Sequence, residues 1–402
     1  MGPMISQTHT ARSASLPHPL AVLCTALSRH CQRDRRNYRE QNKQGFNSFK
    51  HLCFLHRPSL FLQIRIVSMG DSYKLSPVKV GKHDKVSSSM GGDEKISVSI
   101  RMRPLNGREK SDPDAFEAIR SEESTNSITE YSKLGLPNPK TTLDFDNVFN
   151  TDSSTEDIFD KVARSVVDSC MEGINGTIFA YGQTSSGKTF TMNGDEDGNF
   201  PGLLPLSALH IFDTIEKSVH KEYLLRVSFV EIYNEIVTDL FNPQKGPVKI
   251  RESREKGVYV EAEEKIIGTF DDLIGMFTLG NKNRHAASTN MNDRSSRSHT
   301  IFRITVESKE SRMLEDRRLS EESVDSLHDL DGAVLVGALS LVDLAGSENV
   351  RNTGASGKTL REGGNINKSL LTLSGVIKTL ATAKNKEVHV RFRDSKLTRI
   401  LQ

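Results

Sequence analysis

Cysteine is scarce: the 402 residues hold four, with Cys24, Cys31 and Cys53 in the first stretch and Cys170 alone in the remainder. That distribution offers no disulfide framework and no paired-cysteine zinc spacing, which fits a reducing compartment. Long apolar runs are missing as well. Nothing approaches the roughly 18 consecutive apolar residues of a membrane span, so a soluble protein with no membrane partner is expected. Bulk charge of one sign is lacking too, since Lys+Arg 54 stand against Asp+Glu 52. Any electrostatic steering must come from local clusters, and no nucleic-acid partner is expected. Acids are nearly absent through Gly70, where only Asp34 and Glu40 occur. The apolar runs 20–27 and 60–67 in that region are short. The second alternates briefly (Leu62, Ile64, Ile66) without a strand partner nearby. Residues 87–92, Ser-Ser-Ser-Met-Gly-Gly, read as a linker or a translation start. Residues 1–92 are therefore expected to be an N-terminal extension, disordered or a non-native start, of which 1–89 are dispensable for folding. Their basic, serine-rich, acid-poor composition is also that of a transit peptide, although mitochondrial targeting is the less favoured reading.

From Lys95 onward the pattern becomes regular. Ile96, Val98, Ile100 and Met102 alternate with polar residues, which is strand periodicity. Residues 153–173 read as a helix, with Ser154 or Thr155 to cap it, a stripe of Phe159, Val162, Val166 and Cys170, and Gly173 to stop it. Residues 176–181 form a short apolar strand feeding a glycine-rich turn. Residues 224–233 and 300–308 alternate as further strands, 334–342 is a nearly unbroken apolar one, and 366–383 reads as a long helix. Strands interleaved with helices imply an α/β fold, with a mostly parallel central sheet covered on both faces. The charged segment 308–331 lacks periodicity and reads as a surface loop. Within it, Arg317-Arg318-Leu319-Ser320 has the form of a basophilic kinase site, a short match of the kind that is mostly accidental.

Three elements point to phosphate chemistry. Gly182-Gln183-Thr184-Ser185-Ser186-Gly187-Lys188-Thr189 is a complete G-x-x-x-x-G-K-[ST] loop between a strand and a helix-competent stretch. Its glycines let successive N–H groups wrap a phosphate, Lys188 adds a positive charge, and the Thr189 hydroxyl is placed to ligate Mg²⁺. Asp343 closes a buried apolar strand, where an acid can hold the hydrated Mg²⁺ of a P-loop protein, and Gly346 can bring a backbone N–H against the γ-phosphate. The stretch Asn292-Asp293-Arg294-Ser295-Ser296-Arg297-Ser298-His299 is polar and hydroxyl-rich, which suits either a loop that reorganises around a γ-phosphate or an ordinary serine loop. A guanine-specific protein is disfavoured, because Asn281-Lys282-Asn283-Arg284 lacks the aspartate of an Asn-Lys-x-Asp base reader. A kinase or other non-motor P-loop enzyme would leave the serine-arginine loop and the basic C-terminal residues unexplained.

In this order the elements resemble the kinesin superfamily. The runs 179–184 (Phe-Ala-Tyr-Gly-Gln-Thr), 295–299 (Ser-Ser-Arg-Ser-His) and 343–348 (Asp-Leu-Ala-Gly-Ser-Glu) look like its three phosphate-sensing motifs. Arg101-Met102-Arg103-Pro104 is similar to its adenine-side motif. Residues 365–370 and 393–399 are similar to its track-binding helix and loop. Thr300-Ile301-Phe302-Arg303 looks closest to the centromere-associated mitotic branch.

The resemblance implies a kinesin-type P-loop motor domain over 93–402 that binds and hydrolyses ATP with Mg²⁺ and couples the nucleotide to microtubule binding. It implies that Arg101, Arg103, Pro104 and Phe190 flank the adenine. Thr189 and Ser296 would ligate Mg²⁺, with Asp343 holding one of its waters. Asn292 and Ser295 would line the γ-phosphate pocket, and Arg297 would pair with Glu348 to close the site. Lys368, Lys378, Arg391, Arg393, Lys396 and Arg399 would face acidic tubulin. A microtubule and spindle location in the cytoplasm follows, with dimerisation through a stalk outside this chain. Relative to the family pattern the chain stops before the final strand, last helix and neck linker. That makes a microtubule-binding module of impaired motility the alternative expectation. Arg391 stands where many relatives carry proline.

Overall fold

The computed structural model describes residues 61–69 (the course of the backbone), 95–112, 116–195, 197–254, 257–288, 294–311, 334–348, 358–382 and 388–402. Asn292, the Ser320 site and residues 1–60 and 70–94 lie outside them. The strands are β1 (Phe61–Met69), β2 (Lys95–Met102), β3 (Ile119–Glu122), β4 (Ser127–Tyr131), β5 (Pro137–Asp144), β6 (Asn147–Phe149), β7 (Asn175–Tyr181), β8 (Lys221–Tyr233), β9 (Ile236–Asp239), β10 (Ile250–Ser253), β11 (Gly257–Val260), β12 (Lys265–Ile267), β13 (His299–Glu310) and β14 (Leu335–Asp343). The helices are α1 (Gly107–Lys110), α2 (Thr155–Ile158, continued to Met171), α3 (Lys188–Asn193), α4 (Leu203–Lys217), α5 (Phe270–Ser288), α6 (Lys358–Thr382) and α7 (Lys396–Ile400).

The main sheet runs β12-β8-β13-β14-β7-β1-β2-β6, with β9 paired to β8. It is mixed rather than mostly parallel. Only β14 with β7 and β2 with β6 are parallel, while β8, β13 and β14 form successive antiparallel pairs. The strand alternation of the sequence does not encode direction, and no helix is inserted between β13 and β14 among the described residues to force a crossover. The P-loop strand nevertheless keeps its parallel neighbour: Asp343 registers with Ala180.

Strand β1 corrects the expectation that the Leu62–Ile66 alternation has no partner and that all of 1–92 stands apart from the fold. It lies inside the sheet, antiparallel to β2 on one side (Leu62 opposite Arg101) and to β7 on the other (Gln63 opposite Tyr181). Its partners are distant in sequence, so local inspection could not supply them.

The two sheet faces explain why β7 is apolar from Ile178 to Tyr181 and β14 is nearly so. Ile178 and Ala180 of β7 and Leu341 of β14 enter one core, with Val166 of α2, Ile211 of α4 and Phe277 of α5. Phe179, Tyr181 and Val342 enter the other, against Leu370, Leu373 and Ile377 of α6 and Leu397 of α7. A strand covered on both sides cannot alternate with polar residues. In α6 the buried positions Ile366, Leu370, Leu373 and Ile377 recur at helical spacing. Helix α2 starts at a capping box formed by Ser154 and Asp157, as its sequence suggested. It is not uniformly α-helical, however, because Phe159–Ala163 forms a π-helical turn within it. The hairpin between β8 and β9 turns on Asn234 and Glu235, at φ 53° and 60°, the left-handed pair that such two-residue turns demand. No described helix is long and apolar enough to cross a membrane.

Candidate nucleotide site

Strand β7 ends at Tyr181 in the middle of the sheet, and the phosphate loop leaves from there. Ser185 (φ 64°) and Gly187 (φ 92°) take left-handed backbone. At Gly187 a Cβ would meet nothing within 4 Å, so the backbone angle, not crowding, selects glycine. Lys188 is 7% exposed, and its Nζ donates to the Gln183 carbonyl at 2.8 Å. Burial pushes its ammonium below the ordinary lysine range, and the negative charges of Asp343 and Glu348 oppose that. Ser186 Oγ is buried with no partner among the described residues.

Two of the three expected metal residues, Thr189 and Asp343, are in contact. The Thr189 hydroxyl donates to Asp343 Oδ2 at 2.7 Å, and Asp343 Oδ1 is buried with no hydrogen-bond partner among the described residues. One carboxylate and one hydroxyl suit Mg²⁺, which keeps several waters and takes phosphate oxygens as its remaining ligands. They do not suit an all-protein cage, and no cluster of three His, Cys, Asp or Glu exists among the described residues. Ser296, the second expected ligand, lies half-buried in the 3₁₀ turn Arg294–Arg297. Ser295 belongs to the same turn.

The two expected switch segments meet, but by contacts the sequence did not suggest. The Gly346 N–H donates to the Ser296 carbonyl at 2.7 Å, and the Ser347 N–H to the Gly182 carbonyl at 3.1 Å. The Gly346 amide is thus used within the protein here rather than aimed at a phosphate. Glu348 accepts from the Thr184 N–H at 2.9 Å on one oxygen and from the Thr184 hydroxyl on the other. The pairing of Glu348 with Arg297 is therefore not the contact Glu348 makes in this conformation: the P-loop holds it. A Cβ on Gly346 would lie 2.2 Å from Glu348 Oε2 and 2.5 Å from Thr184 Oγ1, so only glycine lets this carboxylate fold back over the loop.

Of the residues expected to flank the base, Arg101 and Phe190 come together. Arg101 donates to Thr155 Oγ1 at 3.1 Å and Thr191 Oγ1 at 2.9 Å, and its guanidinium lies 5.4 Å from the Phe190 ring centre. Phe190 is 40% exposed, leaving a ring face open for stacking. Arg103 turns to the carboxylate of Glu109, with its two nitrogens at 2.7 and 2.5 Å, and to the Pro104 carbonyl. Its guanidinium braces α1.

The kinesin motor domain family model matches residues 101–402. The chain belongs to the kinesin family. It is 46% identical over 313 residues to Kinesin-related protein 4 of Dictyostelium discoideum, covering 77% of this chain and 15% of that protein. It is 42% identical over 316 residues to Centromere-associated protein E of Homo sapiens, covering 78% of this chain and 11% of that protein. The chain thus spans well under half of the length of these two relatives. A solved structure of a fast kinesin superposes with TM-score 0.63 at 37% identity, covering 75% of this chain and 79% of that one. Kinesin motor domains are microtubule-stimulated ATPases, and in this chain the phosphate loop meets Asp343 through Thr189 and Glu348 through Thr184.

Two buried groups of this kinesin escaped sequence reading. Arg284 of α5 is 5% exposed. It lies 3.8 Å from Glu231 and 3.7 Å from Asp343, and donates to Ser298 Oγ at 3.1 Å. His299 is buried between the Ala345 amide and Ser369. Arg284 occupies an ordinary helix position with no local signature, and His299, although it closes the 295–299 run, had no role that the run itself assigns.

The expected track residues are less uniform than their spacing suggested. Lys368, Lys378, Arg391 and Arg393 are exposed, whereas Lys396 and Arg399 are half-buried. Arg393 pairs with Glu252 at 2.8 Å. The Lys396 N–H donates to Glu235 at 2.9 Å. Glu235 thereby ties the β8–β9 turn to the start of α7, while Asn234 of the same turn accepts from Asn365 of α6.

Proposed function

We propose that this chain binds ATP with Mg²⁺ at the Gly182–Thr189 loop, hydrolyses it, and passes the nucleotide state to a microtubule-binding face built on α6 and α7. The observation that carries the reading is the convergence of Thr189, Asp343 and Glu348 on one loop, with Glu348 held by Thr184 and Thr189 on Asp343. The backbone amides of 182–189 and Lys188 would hold the phosphates, and Phe190 with Arg101 the base. Thr189, Asp343 and Ser296 would hold Mg²⁺, which when bound neutralises charge on the transferring phosphoryl group. Ser295, Ser296, Arg297, Gly346 and Glu348 belong to segments that close on the γ-phosphate end. Their work is positioning and electrostatic, since no strong base need be supplied for phosphoryl transfer. Asn292 stands next to those segments in sequence.

Lys368, Lys378, Arg391, Arg393, Lys396 and Arg399 supply the charge for acidic tubulin. A spindle role in mitosis rests on the likeness to Centromere-associated protein E. ATP turnover of the purified chain with and without microtubules tests the reading. Stimulation of about tenfold or more, abolished by Lys188→Ala, is expected. Turnover that ignores microtubules would contradict it.

A further inference from the structure

His299 stands where three elements meet, and its two ring nitrogens are fully assigned by their partners. Nδ1 accepts the Ala345 N–H at 2.9 Å. Nε2 lies 2.8 Å from Ser369 Oγ in α6. The Ser369 hydroxyl hydrogen goes to the Ile366 carbonyl at 2.8 Å, so Ser369 can only accept from His299, and Nε2 must carry the ring proton. The imidazole is 3% exposed. Burial, together with the nearby Arg284 and Lys188 charges, lowers its pKa to about 3, so the neutral tautomer persists across the working pH range.

The placement of these bonds matters more than their number. Ala345 and Gly346 are consecutive, and both of their amides donate into the segment 296–299, to His299 Nδ1 and to the Ser296 carbonyl. The loop after Asp343 therefore cannot shift without shifting His299. On the far side of the ring, Ser369 is buried and its neighbour Lys368 is exposed. Helix α6 offers the ring one face and presents the expected track residue on another. Packed interiors transmit such displacements because they have little slack.

We propose that His299 is the positioning residue that carries the state of the 343–348 loop to helix α6, through the Ala345–His299–Ser369 hydrogen-bond chain. This inference rests on the reading of α6 as part of the microtubule face. His299 is buried between the Ala345 amide and Ser369, so its role is to hold the helix in a register set by the loop.

The two halves of the chain can be cut separately. His299→Asn keeps an acceptor near the Nδ1 position for the Ala345 amide but cannot reach Ser369. Ser369→Ala removes the acceptor at the helix. His299→Gln places an amide N–H near the Nε2 position and serves as the conservative rescue. The readout is the ratio of microtubule affinities in ADP and in a non-hydrolysable ATP analogue, together with ATP affinity and melting temperature. For Ser369→Ala and His299→Asn the nucleotide-dependent ratio should shrink at least fivefold, with ATP affinity held within about threefold. His299→Gln should recover at least half of the wild-type ratio on a logarithmic scale. A ratio within twofold of wild type in Ser369→Ala, in a wild type that does discriminate, overturns the relay alone. If wild type shows no nucleotide-dependent microtubule affinity, the functional reading and the relay both fall.

Discussion

The nucleotide pocket and the C-terminal basic face use charge in opposite ways. In the pocket, Arg284, Glu231, Lys188 and Asp343 are each 7% exposed or less, and they lie against one another or against the P-loop. At the basic face the Arg393–Glu252 pair leaves its two side chains 69% and 43% exposed. Charges in the first group have no water to fall back on, so each depends on its neighbours. Those in the second are screened and individually replaceable, and only their sum matters. Mutational effects should therefore be concentrated in the pocket and diffuse on the basic face.

The sharpest way to break that contrast lies outside both regions, in β1. Because it pairs on both edges with β2 and β7, removing it leaves the P-loop strand with an open edge. Truncation before residue 70 should cost more than about 4 kcal/mol, beyond the range of ordinary substitutions, and should abolish cooperative melting. Truncation before residue 61 is the matched control. Equal melting temperatures for the two would show that β1 contributes nothing.

Within the pocket, Arg284→Ala should destabilise by roughly 3–5 kcal/mol, since it strands Glu231 and Asp343 in the interior. Chemical denaturation measures it, and a loss under 1 kcal/mol would mean that the network is slack. His299 yields a pH signature. Its pKa is lowered from the ordinary 6.5 to about 3, so below about pH 6.5 the unfolded chain takes up a proton that the folded chain refuses. Stability from this residue is complete above pH 6.5 and is lost as pH falls toward 3, with a limiting slope of about 1.4 kcal/mol per pH unit. His299→Gln should flatten that part of the acid limb in melts from pH 7 to 4.

The smallest effect is expected at the exposed pair. Arg393→Ala should change stability by less than about 1 kcal/mol, while Lys396 and Arg399 changed together to Ala should weaken microtubule binding and its salt dependence without altering ATP affinity. A large change in stability at Arg393 would erase the distinction between the two regions.

The sequence disclosed the pocket better than the sheet around it. Gly182–Thr189 and Asp343 were legible because their chemistry demands fixed residue types at fixed spacing, and the structure joins them through Thr189. The strands themselves were legible from their alternation, down to the buried Ile96, Val98 and Ile100. Strand direction was not, nor was the insertion of β1, because pairing across distant segments leaves no local trace. The grip of Thr184 on Glu348 was hidden for a related reason. A sequence shows which residues belong to the γ-phosphate end but not which partners they hold in a given conformation, and here Gly346 leaves just enough room for Glu348 to reach the P-loop.

Glu348 joins the loop after Asp343 to the phosphate loop. Its carboxylate grips the phosphate loop only through Thr184, so it should act on the rate more than on ground-state binding. The direct measurement is steady-state ATP turnover of Glu348→Ala on saturating microtubules, with ATP affinity determined alongside. The account predicts a loss of about 10²-fold or more in turnover, in the range of a positioned catalytic group, with ATP affinity changed less than about fivefold. Turnover within threefold of wild type would contradict it.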